Sequence, residues 1–256
     1  YKVALGYLEP YLFETKFRGR VNLSWSSLIT DFGVSKVSDV RQTSYSIERD
    51  FTSHVTGIWN AFSIATVKDK GISPNIPIPE ITQDIGTIGP TLELDYRDNP
   101  FVPTRGNFTS ISTEYSSPEL GSYLTEEDAQ KKGIRFVRSS ASFTQYLQVP
   151  YIKNNTMVWA NSIRGGYIRN LSNEIGVPYD KKGFYLGGGS TVRGFDGTSE
   201  YFPTREQLGI GEAGTYYLNT AATMYLFKSE LRFPLFGSIG GGVFYDGGAV
   251  HIDGLN

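Results

Sequence analysis

Apolar and polar residues alternate with a period of two along most of the chain, and this alternation predicts β-strands. Strand-like segments of this kind are followed by turn-forming residues, and no segment shows a convincing amphipathic helical period. The sequence therefore predicts an all-β protein. Its strands are expected at about residues 1–7, 17–26, 45–50, 57–67, 92–97, 108–115, 137–147, 156–168, 227–235 and 242–250.

The two faces of these strands differ in chemistry. Leu92 and Leu94, for example, lie on one face of their segment, and Glu93 and Asp95 lie on the other. Only the segment 57–67 does not divide into two faces. A soluble barrel of this size keeps its apolar side chains inside, whereas an outer-membrane barrel turns them towards lipid. We therefore expect the apolar faces to contact lipid, with Leu94 at mid-membrane, and the charged faces to line a lumen.

The connections between the predicted strands alternate between short turns and long loops. A membrane barrel with short periplasmic turns and long extracellular loops explains this alternation. Because only helices and closed barrels satisfy the backbone in lipid, the sheet is expected to close. The prediction is a transmembrane antiparallel up-and-down β-barrel, with further strands beyond both ends of the chain. The short turns are 9–15, 51–55, 99–106, 150–155 and 237–241, and the long loops are 27–42, 68–83, 116–133 and about 170–214.

Composition supports this class and excludes several others. The net charge is −2, which gives no electrostatic reason to expect a nucleic-acid partner. The chain has 17 Tyr, 16 Phe and 3 Trp but no Cys, so disulfides and thiolate metal sites are excluded. The chain contains no run of about eighteen apolar residues, so the sequence predicts no transmembrane helix.

Candidate catalytic and metal-binding residues are few. His54 falls in a predicted turn and His251 follows the last strand, and neither lies near a Gly-x-Ser-x-Gly motif. A lumenal serine–histidine pair of the phospholipase-barrel type stays an open alternative without local support. Asp95, Asp98 and Asn99 suggest a calcium-binding site, but Pro100, which follows them, and the absence of a glycine fit a strand-end turn better. We predict no catalytic residue, no metal site and no cofactor.

A glycine-rich segment, LGGGSTVRGFDGTSEYF at 186–202, contains a single arginine, Arg193. It is not followed by the helix that a phosphate-binding loop requires. Glu230 and Asp246 stand on the predicted lumen faces of the next two strands. Arg193 would pair with both carboxylates if the loop folded into the barrel. Alternatively, Glu230 pairs with its neighbour Lys228 or Arg232 and the loop stays outside.

Several motifs together resemble the carboxy-terminal barrel of the Omp85 superfamily, also called the bacterial surface antigen family. They are STVRGFDG at 190–197, YFP at 201–203, SELRFP at 229–234, FYDGG at 244–248, LEPYLF at 8–13 and LDYRDNP…TRGNF at 94–108. The resemblance implies that Val192, Arg193, Gly194 and Phe195 belong to an extracellular loop tucked into the lumen. It also implies that the arginine contacts the inner wall, at the positions of Glu230 and Asp246. Gly194 would allow a close approach to that wall, and Phe195 would pack against it.

The resemblance further implies how much of a barrel is present. Residues 1–256 would form a single incomplete barrel domain, covering roughly strands four to thirteen of sixteen. The first and last strands and the periplasmic POTRA domains would lie outside the chain. One departure leaves the subfamily open, because TYYLNT at 215–220 replaces the Gly-Gly-Asn that often precedes the strand after the loop.

The function that the resemblance implies is the assembly of outer-membrane proteins in a Gram-negative bacterium. A factor of this kind is not an enzyme and uses no cofactor. Its expected partners are outer-membrane lipid, unfolded β-barrel client proteins and the accessory lipoproteins of an assembly complex, with no nucleic acid. The alternatives are a translocation and assembly module, a two-partner secretion transporter and a passive porin-like channel.

Overall fold

The structure is a computed structural model that describes residues 1–32, 34–71, 81–125, 131–150, 156–195, 209–210, 216–237 and 239–254. Most of this part of the chain forms one antiparallel sheet with ten long strands. The ten strands are β1 (Lys2–Glu9), β2 (Arg18–Phe32), β3 (Val34–Thr52), β4 (Val55–Gly71), β5 (Ile81–Asp95), β6 (Gly106–Ser116), β9 (Phe136–Pro150), β10 (Thr156–Asn170), β14 (Ala221–Phe236) and β15 (Ile239–Ile252).

The strands follow one another in an up-and-down meander. Their order in the sheet is β1-β2-β3-β4-β5-β6-β9-β10-β14-β15, and every neighbouring pair is antiparallel. Within the described residues, β1 and β15 form the two edges of the sheet, which is therefore not closed. The all-β, antiparallel barrel-wall prediction is confirmed, and all ten predicted segments are strands.

Several strands extend beyond their predicted ends. Pairing between β2 and β3 runs without a break from Arg18 and Glu48 to Phe32 and Val34, so the loop predicted at 27–42 is wrong. Polar residues are mixed with apolar residues of both parities, such as Val37 and Val40, so this segment shows no clear alternation, which hid its strand character. A strand that leaves the lipid needs no apolar face, and β-branched residues still favour it. For the loop predicted at 68–83, β4 continues to Gly71 and β5 begins at Ile81, and 72–80 lie outside the described residues.

The two later loops contain short elements that the sequence did not predict. In the first, a 3-10 helix (Pro118–Leu120) precedes β7 (Tyr123–Thr125), which pairs with β5 and with β8 (Lys131–Gly133). In the second, β11 (Val177–Pro178), β12 (Gly209–Ile210) and β13 (Tyr216–Leu218) form a small separate sheet, and α1 spans Tyr179–Lys182. Elements of two to four residues are too short for a periodic pattern.

The buried core lies on one face of the large sheet, under the segment 175–195. Tyr179 of α1 is fully buried there, with residues from β5, β9, β10 and β14. Burial raises the pKa of Tyr179 to about 12, so its hydroxyl stays protonated, and it donates to the Phe184 carbonyl at 3.0 Å. We call the face of the large sheet that carries this core the lumen face. The buried residues of this cluster include Ile81, Ile85, Leu124, Ile134, Phe136, Ile168, Val177, Phe184, Leu218 and Ala222.

The opposite face of the sheet carries exposed apolar side chains, and we call it the outer face. Leu5 is 69% exposed, Ile163 is 58% exposed and Tyr225 is 63% exposed. This is the arrangement that the alternation predicted, with large apolar groups turned away from the lumen. None of the helices in the described part of the chain is long and apolar enough to cross a membrane.

Candidate functional site

Residues 186–195 of the glycine-rich segment fold into a compact loop on the lumen face. Gly187, Gly188 and Gly194 all have positive φ, the backbone region that favours glycine. The hydroxyl of Thr191 donates to the Gly187 carbonyl at 2.7 Å and accepts from the Gly187 amide at 2.8 Å. The Gly188 amide donates to the Phe195 carbonyl at 2.7 Å, which closes the loop around the arginine.

Apolar contacts hold this loop against the barrel wall. Leu186 and Val192 are buried together with Leu226 of β14, and Met224 and Val250 pack beside them. Val192, one of the residues implied by the family motif, is 4% exposed. Its burial places the next residue, Arg193, directly against the lumen faces of β14 and β15.

Arg193 contacts both carboxylates that stand on those strands. Its Nε donates to Asp246 Oδ2 at 2.6 Å and its second terminal nitrogen donates to Oδ1 at 2.8 Å, which makes a bidentate pair. Its remaining terminal nitrogen donates to Glu230 Oε2 at 2.6 Å, and its backbone amide donates to Asp246 Oδ2 at 3.1 Å. These hydrogen bonds, to Asp246 first, raise the pKa of the guanidinium well above its ordinary value. The structure thus brings together Arg193, Glu230 and Asp246.

Two further residues belong to the site, of which sequence reasoning missed Phe244 and named Arg232 only as an alternative partner of Glu230. The ring of Phe244 lies under the guanidinium, with 3.5 Å between its centroid and Arg193 Cζ. Arg232 Nε donates to Glu230 Oε1 at 2.7 Å, so Glu230 bridges two arginines. The two pairings that the sequence left as alternatives for Glu230 are therefore both present. The alternation placed Phe244 on the same face as Asp246, and that was the only signal for its role.

The predicted role of Gly194 is wrong. A Cβ at this position would meet no atom within 4 Å, so the glycine is not needed for a close approach to the wall. Its φ of 90° is what requires glycine. Phe195 is 45% exposed, so any packing of its ring against the wall leaves nearly half of it uncovered.

Another part of the same loop contacts a different region of the wall. Lys181 Nζ, in α1, lies 3.4 Å from Asp69 Oδ1 of β4 and 3.3 Å from Ser38 Oγ of β3. Lys182 Nζ donates to Glu114 Oε2 of β6 at 2.9 Å. The loop therefore forms ion pairs with β4 and β6 at one end and with β14 and β15 at the other. Sequence reasoning missed these contacts, because 112 residues separate Lys181 from Asp69.

The two histidines lie apart from this loop. His54 Nδ1 is 2.8 Å from the Asp95 carbonyl, and its ring stacks on Tyr96. His251 Nε2 lies 3.8 Å from Asp253 Oδ1 near the other end of the chain. In the part of the chain that the structure describes, no group of three or more His, Asp or Glu residues is arranged to hold a metal ion.

Asp98 holds a turn between strands. It accepts from the backbone amides of Asn99, Thr104 and Arg105 at 3.0, 2.9 and 3.2 Å, and from the Thr104 hydroxyl at 2.6 Å. Asp95 instead pairs with Arg97 at 2.7 Å. The two carboxylates therefore serve the strand-end turn that the sequence favoured over a calcium site.

Comparison with known proteins agrees with this architecture. No curated protein sequence matches the chain. The crystal structure of BamA from Haemophilus ducreyi lacking POTRA domains 1-3 superposes with a TM-score of 0.67, over 97% of this chain and 49% of that one, at 16% sequence identity. The chain thus shares the fold of that protein and spans about half its length. The sequence model of the Omp85 superfamily domain matches residues 1–253. The chain belongs to the Omp85 superfamily.

Proposed function

We propose that this chain is the central part of a BamA-like barrel that assembles β-barrel proteins into the outer membrane of a Gram-negative bacterium. The observation that carries the proposal is the Arg193 cluster. A barrel of this fold can have an open lumen. Here, instead, a loop is fixed to the inner wall by the ion pairs of Arg193 with Glu230 and Asp246. Residues 1–256 would then form one incomplete barrel domain that supplies about ten strands of a barrel of about sixteen. The remaining strands and the POTRA domains would belong to other parts of the protein.

The physical logic of such a factor lies in backbone pairing. An exposed strand edge offers unpaired N–H and C=O groups, and an unfolded client strand can pair with them whatever its side chains. This chemistry needs neither a catalytic side chain nor a cofactor. The partners would be unfolded β-barrel clients, outer-membrane lipid and accessory lipoproteins.

The loop contacts bear on the alternative functions. A passive porin needs an open lumen, whereas segment 175–195 lies across the lumen face and is paired with the wall near both of its ends. This favours an assembly factor over a porin-like channel. A TamA-type translocation and assembly module and a two-partner secretion transporter belong to the same superfamily and remain the second candidates.

The test is complementation in cells depleted of the native protein. We expect the full-length protein to restore folded outer-membrane barrels, measured by their heat-modifiable gel mobility, and Arg193→Ala to restore few of them. Arg164→Ala is the matched control, because Arg164 also lies on the lumen face, in β10, and is exposed. Wild-type protein that fails to restore barrel assembly, but restores export of a single large polypeptide, would identify a secretion transporter instead.

A further inference from the structure

A groove of about 630 Å³ crosses the outer face of β1, β2 and β3. Val3, Leu5 and Leu23 supply apolar walls, and Trp25 and Arg41 supply its polar end. In the strand register Val3 pairs with Trp25, and Trp25 pairs with Arg41, so these side chains share one face. The lumen-facing Ser38 and Glu48 have the opposite parity on β3, which confirms that the groove lies outside.

Arg41 is an unusual residue for this face. Its guanidinium lies over the indole of Trp25, 5.3 Å from the ring centroid, and its side chain is exposed. Among the described residues no carboxylate forms an ion pair with it. Two described acidic residues of the same face, Asp39 and Asp84, lie on β3 and β5. Asp84 accepts from the Thr66 hydroxyl at 2.6 Å, and Asp39 stands opposite Lys68 in the strand register.

The position of Arg41 along β3 matches one boundary of the lipid. On the outer face of this strand, Thr43, Tyr45 and Ile47 separate Arg41 from Arg49. Eight residues of strand span about 26 Å, or roughly 20 Å along the membrane normal when the strand is tilted by about 40°. This is close to the apolar band of about 25 Å of a membrane barrel. The two arginines therefore bracket the band.

The far boundary is built differently. Arg49 lies over the rings of Phe17 and Phe51, at 4.9 and 5.6 Å from their centroids, so two aromatic rings cover its guanidinium. Arg41 stands nearer the β2–β3 hairpin, which is extracellular in the orientation expected for this family. Its guanidinium therefore faces the headgroups of the outer leaflet.

We propose that the groove and Arg41 form a binding site for a phosphorylated glycolipid of the outer leaflet. An acyl chain lies along Val3, Leu5 and Leu23, and a headgroup phosphate pairs with the guanidinium. A charge at the edge of the lipid is stabilised by a counter-ion, and the planar fork of arginine suits phosphate. Stacking on Trp25 holds the guanidinium in place without consuming its hydrogen-bond donors. The inference rests on the outer-membrane orientation proposed above but not on assembly activity.

The test is native mass spectrometry of the full-length protein with two probes, bis-phosphorylated lipid A and the same glycolipid with its phosphates removed. We expect the protein to retain the phosphorylated probe preferentially. Arg41→Gln should reduce that retention about tenfold or more, as expected for the loss of charge-assisted hydrogen bonds. Arg41→Lys, which keeps the charge but loses the fork, should lie between the two.

Lys68→Gln is the matched control, because Lys68 is an exposed cation on the same face, opposite Asp39 and outside the groove. It should leave retention within about twofold of the wild type. Equal retention of both probes, an equal loss in Arg41→Gln and Lys68→Gln, or equally strong retention of phosphatidylglycerol would overturn the assignment. Each of these results is independent of whether Arg193→Ala impairs barrel assembly.

Discussion

The three charges of the loop site are not equivalent. The side chain of Asp246 is 2% exposed and accepts three hydrogen bonds from Arg193, whereas the side chain of Glu230 is 25% exposed and also pairs with Arg232. Loss of Arg193 would leave Asp246 as a charge with little access to water. Glu230 would keep one arginine and some solvent. We therefore expect the pair of Arg193 and Asp246 to contribute more to stability than the pair of Arg193 and Glu230.

This difference can be measured with two double-mutant cycles on the folded full-length protein. We expect a coupling free energy of up to about 3 kcal/mol between Arg193 and Asp246, with Arg193→Ala and Asp246→Asn as the single variants. The coupling between Arg193 and Glu230 should be about 1 kcal/mol or less, because that pair is more exposed. Denaturant unfolding supplies the free energies. A larger coupling with Glu230, or none with Asp246, would contradict this account of the loop.

A second residue-scale prediction concerns pH and the turn at Asp98. Hydrogen bonds, first from Thr104, hold the pKa of the Asp98 carboxyl far below its usual range. A carboxyl with a lowered folded pKa stabilises the protein above its unfolded pKa, about 3.9, and this contribution is lost as pH falls below that value. We expect Asp98→Asn to unfold at lower denaturant concentration at pH 7, and the difference from wild type to shrink towards pH 2. Glu93→Gln, on the lumen face, serves as the control. A difference that stays constant between pH 7 and pH 2 would mean that the charge of Asp98 does not hold the turn.

At the scale of whole strands, the depth of a residue matters as much as the face on which it lies. Leu94 has the predicted outward parity but is the next-to-last residue of β5, so its expected position at mid-membrane is wrong. Ile111 is the central residue of β6 and is 48% exposed on the outer face. We expect Ile111→Arg to cost about 2–4 kcal/mol of barrel stability, as for arginine at the midplane. Ser110→Arg, facing the lumen beside Glu93, should be mild. Equal losses of heat-modifiable barrel in both variants would reverse the assignment of the faces.

The error with Leu94 shows what periodicity can and cannot predict. Except in β4, whose segment 57–67 showed no clear faces, alternation predicted the faces of the strands correctly, because a period of two has only two phases. It gave strand ends poorly, since residues such as those of 27–42 lose the apolar face without leaving the sheet. The residues alone left the pairing of Arg193 with Asp246 as one of two alternatives, and the family motif favoured it. The contact of Lys181 with Asp69 had no sequence signal, because no local pattern joins α1 to β4.

At the scale of the whole molecule, the folded loop identifies the inner face of the sheet, and the lengths of the connections distinguish its two ends. Segment 175–195 lies on the lumen face and belongs to the same end of the sheet as the connection between β6 and β9. Short turns, such as the one after Thr52 at the start of β4, lie at the other end. The orientation expected for the family places the long connections outside the cell and the short turns in the periplasm.

This orientation can be tested with an inserted epitope. The sequence from Glu126 to Lys132 is strongly charged, which suits water and predicts tolerance of an insertion. Thr125 itself belongs to β7 and pairs with Thr82, so an epitope placed there would break a strand pair. We therefore place it between Glu127 and Asp128 of the full-length protein and expect antibody to label intact cells. An epitope between Thr52 and Ser53, in the short turn, is the control and should be labelled only after the outer membrane is permeabilised. The reverse pattern would invert the barrel and would also move Arg41 to the periplasmic leaflet, so this experiment decides which lipids the outer groove can meet.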